Sequence, residues 1–122
     1  MTTVVSEPRI AAPATAGCAQ AFEIRPFDAP LGAEVIGLDL SAPITDADFE
    51  RIHRAHLDHH VLVFRDQRIT PAEQIEFSRR FGPLQIHVLR QFQLPGHPEI
   101  LRISNILENG QPIGLGDAGH FW

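Results

Sequence analysis

A chain of 122 residues is long enough for one hydrophobic core and too short for two. Its 43% apolar and 20% charged residues are the balance of a globular protein and exclude a disordered or fibrous one. A net charge of −5 without clustered Lys and Arg argues against a nucleic-acid partner, and no apolar run reaches the roughly 18 to 20 residues of a membrane helix.

Residues 1–20 are rich in Ala, Thr and Pro and have no periodicity, which predicts a disordered tail before a domain at 21–122. Arg9 is the sole basic residue of that stretch, a poor fit to a transit peptide. Cys18 is the one cysteine, so no internal disulfide can form; with no secretory leader pattern, a cytoplasmic protein is expected.

Phe22 and Ile24 alternate with Glu23 and Arg25 as a short strand, and the turn-rich Phe27-Asp28-Ala29-Pro30-Leu31-Gly32 follows. Residues 33–40 read as a second strand paired with the first, with Val35 and Gly37 on one face and Ile36 and Leu38 on the other. Thr45 is placed to cap a helix from Asp46 to about His59, with Asp46 and Asp48 in its first turn and Phe49, Ile52 and Leu57, with Ala55 or His56 between, as its apolar stripe.

Val61-Leu62-Val63-Phe64 reads as a buried strand. Thr70-Pro71-Ala72-Glu73 is a capping box opening a helix that carries Ile75, Phe77 and Phe81 until Gly82-Pro83 stops it. Residues 84–92 are expected to be extended, Leu94-Pro95-Gly96-His97-Pro98 to turn, residues 99–104 to form a strand, and Asn109-Gly110 through Gly119 to be a flexible loop. The runs 61–64 and 100–103 are expected to lack strand partners. Together these elements make an α+β chain with two helices and several short strands.

His53, His56 and His59 recur at helical spacing, with His60 beside them, so neighbouring pairs are placed to share a metal. No HExxH and no third ligand at fixed spacing accompany them; the alternative is a polar helix end that favours the dipole. Gly114-x-Gly116-x-x-Gly119 matches the dinucleotide fingerprint by letters, but no strand is predicted directly before it.

Three strings in order carry a more specific signal: Val61-Leu62-Val63-Phe64-Arg65-Asp66-Gln67, then Ile69-Thr70-Pro71, then Phe77-Ser78-Arg79-Arg80-Phe81-Gly82-Pro83-Leu84. With Leu31-Gly32-Ala33-Glu34-Val35-Ile36-Gly37-Leu38-Asp39-Leu40 before them and Gly119-His120-Phe121-Trp122 after, the chain resembles the N-terminal region of the taurine dioxygenase family of iron(II)- and 2-oxoglutarate-dependent oxygenases.

That resemblance implies the N-terminal segment of a double-stranded β-helix, or jelly-roll, oxygenase that hydroxylates a small anionic substrate, a sulfonate or a carboxylate. It implies Fe(II) and 2-oxoglutarate as cofactors, held by two His, a carboxylate and an Arg. None of these ligands is expected within this chain; the first His and the Asp are expected directly after Trp122, so no catalytic, cofactor-binding or metal residue is assigned here. The 122 residues alone are expected to be inactive, and the full-length protein is compatible with a homo-oligomer.

His87 falls where the taurine enzyme has a histidine contacting the substrate sulfonate. Arg90 stands where that enzyme has a substrate-contacting Tyr, and this chain has no Tyr, a departure from taurine specificity. A guanidinium suits a carboxylate or sulfonate; the alternatives are a strand-edge His and a solvated surface Arg. Two other functions compete: a non-catalytic binding or assembly module, and a metal-binding protein built on the histidine cluster.

Overall fold

The computed structural model describes residues 18–116. They fall into two compact units, divided between Arg65 and Asp66. In the first, β1 (Glu23–Pro26) pairs antiparallel with β2 (Ala33–Ile36), and β2 pairs parallel with β3 (Leu62–Phe64), in the order β1-β2-β3. The parallel pair is joined through α1 (Asp46–His59), because a parallel return needs a crossover of about a dozen residues or more. The run 61–64 therefore has a partner on one side, contrary to expectation, and β3 is half-buried rather than buried.

β2 ends at Ile36 and does not continue to Leu40. Gly37 has φ +87°, and a Cβ there would lie 3.2 Å from the Ala21 carbonyl oxygen. This turn switches the inward parity: Ala33 and Val35 are buried before it, Leu38 and Leu40 after it. Beyond Leu40, the Ser41 hydroxyl and then its amide hydrogen-bond the Asp39 carboxylate, holding the carboxyl below its ordinary pKa.

α1 spans the predicted residues and is capped by Thr45, whose Oγ1 accepts from the Asp48 amide at 3.1 Å. Its buried residues are Asp48, Ile52 and Ala55, so of the predicted stripe Ile52 and Ala55 face the core, while Phe49 is half-buried and Leu57 does not join them. Leu57 is 57% exposed, since five residues beyond Ile52 it points about 140° away around the helix. Ile52 is fully buried, and Ala33, Val35, Leu38, Leu40 and Ile44 are the other buried apolar residues of the unit outside α1.

Asp48 does more than complement the dipole. Its Oδ2 accepts from the Gln20 amide at 3.0 Å and from the Thr45 hydroxyl at 2.9 Å, and the carboxylate is 6% exposed. Of the expected tail, residues 1–17 lie outside the described residues. Gln20 is also held by its side chain, which accepts from the Asp39 amide and donates to the Asp39 carbonyl.

In the second unit, α2 (Pro71–Arg79) opens on the predicted capping box: Thr70 Oγ1 accepts from the Glu73 amide at 3.3 Å and Glu73 Oε2 from the Thr70 amide at 2.6 Å. The helix stops before Phe81, because the amides of Arg80, Phe81 and Gly82 bond carbonyls three residues back and tighten the last turn. Phe81 is 43% exposed and meets Phe77 edge-on at 5.4 Å. Thr70→Ala should cost about 1 kcal/mol. A lower urea midpoint at unchanged slope, with faster amide exchange confined to the first turn of α2, is the expected reading.

β4 (Gln93–Leu94) and β5 (His97–Leu101) form a hairpin around Pro95-Gly96, with Gly96 at φ +80°. The run 100–103 thus has a partner for part of its length, and the strand begins and ends earlier than predicted. Arg79 reaches Glu99 on β5 at 2.6 Å.

The predicted flexible loop is a second hairpin, β6 (Leu107–Glu108) with β7 (Gln111–Pro112). Asn109 and Gly110 have φ of 51° and 76°, the left-handed pair that a two-residue type I′ turn requires. After it, Leu115 bridges Ile103 in parallel. Gly114 is a glycine because a Cβ would sit 2.8 Å from the Ser104 nitrogen and 2.9 Å from the Arg102 oxygen.

Candidate functional site

The predicted substrate residues lie in the second unit on the connection between α2 and β4. This segment is a loop followed by a single 3₁₀ turn at Arg90–Phe92, not the extended run expected, because the Phe92 amide bonds the Leu89 carbonyl at 3.2 Å. Both His87 and Arg90 are exposed.

Two hydrogen bonds fix His87. Its Nδ1 accepts from the Leu89 amide at 3.1 Å, and its carbonyl accepts from Gln93 Nε2 at 3.0 Å. An Nδ1 that accepts carries no proton, so the neutral ring bears its hydrogen on Nε2 and offers one donor. Arg90 starts the 3₁₀ turn, and among the described residues its guanidinium has no ion-pair or hydrogen-bond partner. The turn is anchored at its other end, where the Arg102 amide donates to the Phe92 carbonyl at 2.8 Å. His87 and Arg90 are thus brought onto one braced loop, as two donors suited to an anion.

Sequence reasoning missed Gln93, which joins the loop carrying His87 to the first residue of β4. It missed Arg102 as well, whose Nε is buried with no hydrogen-bond partner among the described residues. Neither shows in spacing: the first is a side-chain bond to a carbonyl six residues back, and the second is a burial that no local pattern announces.

The histidine cluster on α1 is not assembled as a metal site. His53 stacks on Phe49 at 6.0 Å, the His56 carbonyl accepts from the His60 amide, and the His59 carbonyl accepts from the Gly32 amide. Among the described residues no group of three or more His, Cys, Asp or Glu is placed to hold a metal. The glycine fingerprint is not followed by a described helix, and Gly119 lies outside the described residues. No described helix is long and apolar enough to cross a membrane.

Residues 23–122 match the model of the family described as taurine catabolism dioxygenase TauD, TfdA. Pentalenolactone F synthase of Streptomyces avermitilis is 46% identical over 90 residues, covering 72% of this chain and 29% of the relative. The (S)-phenoxypropionate/alpha-ketoglutarate-dioxygenase of Sphingobium herbicidovorans is 40% identical over 90 residues, covering 74% and 27%. A taurine dioxygenase from Burkholderia xenovorans superposes with a TM-score of 0.59 at 30% identity, covering 63% of this chain and 28% of that one. The chain therefore spans under a third of the length of these relatives.

Proposed function

Because the chain belongs to the taurine catabolism dioxygenase TauD, TfdA family, we propose that it forms the N-terminal part of an iron(II)- and 2-oxoglutarate-dependent oxygenase acting on a small anion. The reading is supported by relatives whose names carry alpha-ketoglutarate, phenoxypropionate and taurine, the last two a carboxylate and a sulfonate. The observation that carries the chain's own role is the braced loop presenting His87 Nε2–H and the Arg90 guanidinium.

The described residues do not fit the metal, since no ligand set is gathered among them. Iron and 2-oxoglutarate belong, on this proposal, to ligands that follow Trp122 and to a jelly roll that the strands of this chain flank. His87 and Arg90 form the substrate-side wall. Arg90 offers a two-pronged donor to a carboxylate or sulfonate, and His87 adds one hydrogen bond that fixes the headgroup's orientation.

The test is 2-oxoglutarate turnover, with Fe(II), by the polypeptide that continues this sequence through the family's remaining length. Aryloxyalkanoates and alkylsulfonates should stimulate it, whereas their neutral amides should not. His87→Ala and Arg90→Ala should each raise KM for the anion about tenfold or more, the worth of one charge-assisted bond, while substrate-independent turnover of 2-oxoglutarate stays unchanged. An unchanged KM for the anion, or an equal loss of substrate-independent turnover, would remove His87 and Arg90 from the site.

A further inference from the structure

β1 is an open edge of the three-stranded sheet among the described residues, and its hydrogen-bonding pattern is fixed by its partner. Glu23 lies opposite Ile36 and Arg25 opposite Glu34, and in the same register the Phe27 amide donates to the Gly32 carbonyl at 3.0 Å. Odd-numbered residues therefore bond to β2, and the backbone groups of Phe22, Ile24 and Pro26 point off the free edge.

We infer that β1 pairs antiparallel with β1 of a second copy of this chain, on a twofold axis through Ile24, making an isologous dimer with one continuous six-stranded sheet. The strand is self-complementary in this register. Ile24 exchanges both backbone hydrogen bonds with its counterpart, and each Phe22 amide reaches the opposing Pro26 carbonyl.

Pro26 has no N–H to return to the opposing Phe22 carbonyl. That carbonyl is already satisfied within its own chain by Arg51 Nη2 at 3.1 Å, with the same guanidinium 4.0 Å above the Phe22 ring. The edge group that proline leaves without a donor is the one the fold has bonded.

The side chains match too. Glu23 and Arg25 share one face, exposed by 60% and 59% and in contact with each other at 3.2 Å. In the antiparallel pair each Glu23 lies opposite the other copy's Arg25, giving two cross-strand charge pairs. On the other face, Ile24 lines an open groove with Arg51, Arg54, Ala55 and Asp58 of α1, and the two Ile24 side chains meet there. A short, charged, proline-bearing edge normally discourages pairing. Here the same features reject other registers and leave this one without a like-charge contact.

Sedimentation of the full chain should show a monomer–dimer equilibrium that weakens with salt. Glu23→Arg and Arg25→Glu each place like charges opposite one another and should each weaken dimerisation at least tenfold. Mixed in equal amounts, the two variants should restore a 1:1 dimer, which also shows that both have folded. A wild-type monomer at all concentrations, variants that dimerise like wild type, or a mixture that stays monomeric would each overturn the inference.

Discussion

Ile52→Ala is expected to destabilise the first unit by about 3 kcal/mol, a large share of the stability of a unit this size. Ile52 is fully buried, and the other buried apolar residues of the unit come from both flanks of the sequence: Ala33, Val35, Leu38 and Leu40 from β2 and its extension, Ile44 before the helix, and Ala55 within it. Removing three buried carbons forfeits ~2.4 kcal/mol of transfer free energy at ~0.8 kcal/mol each, and the cavity adds the remainder. β2, which carries the buried Ala33 and Val35, is paired on both sides by β1 and β3, so the sheet has little freedom to collapse. Ile52→Val, which removes one carbon, should cost about 1 kcal/mol. Urea unfolding of both variants measures this; equal costs would place the principal packing elsewhere.

Asp48→Ala should be of similar size, about 2 to 4 kcal/mol, by a different route. The carboxylate satisfies the Gln20 amide and the Thr45 hydroxyl, and Arg51 stands 3.8 Å away. Alanine strands two donors in a part-buried site and removes a charge that complements the helix N-terminus. Asp48→Asn keeps an acceptor at nearly the same shape and should lose roughly half as much. Amide exchange locates the effect: Gln20 should lose protection in Asp48→Ala while Ile52 keeps it until global unfolding. If Gln20 stays protected, the carboxylate acts on the helix alone.

Much of this architecture was legible where the signal is local. Thr45 and Thr70 announce their helices because a cap is a bond between residues three apart, and both helices begin where those threonines place them. The β1–β2 pairing was legible for a similar reason, since a short turn forces neighbours together. What escaped depends on partners far along the chain or on a single dihedral. Asp48 reads as a first-turn acid until Gln20, 28 residues earlier, is seen to donate to it. Gly37 looks like one position of a strand, and its positive φ alone moves Leu38 to the buried side. Asn109-Gly110 carries a hairpin signal that was overlooked because the flanking strands are only two residues each and lack alternation.

The candidate site was legible in part. His87 and Arg90 follow from their place in a recognisable string, while the geometry that makes them usable does not. The Leu89 amide on Nδ1 selects which ring nitrogen is offered outward, and Gln93 couples that choice to the β4–β5 hairpin. Neither bond has a spacing rule a reader of sequence could apply.

The passage from α1 into β3 is the shortest way back into the sheet: His60, at φ 68°, and Val61 lie between the last helical residue and Leu62. Both ends of that passage are clasped, by the His60 amide on the His56 carbonyl and by the Ala33 amide on the Val61 carbonyl. A chain so tightly geared has no slack to absorb a change of length. One residue gained or lost here would turn Leu62, Val63 and Phe64 over together, each onto the opposite face of the sheet. The same change at Pro95-Gly96 would alter one hairpin turn. Variation in length should therefore be tolerated very unevenly along this chain, with the helix-to-strand junction the least forgiving of the two places.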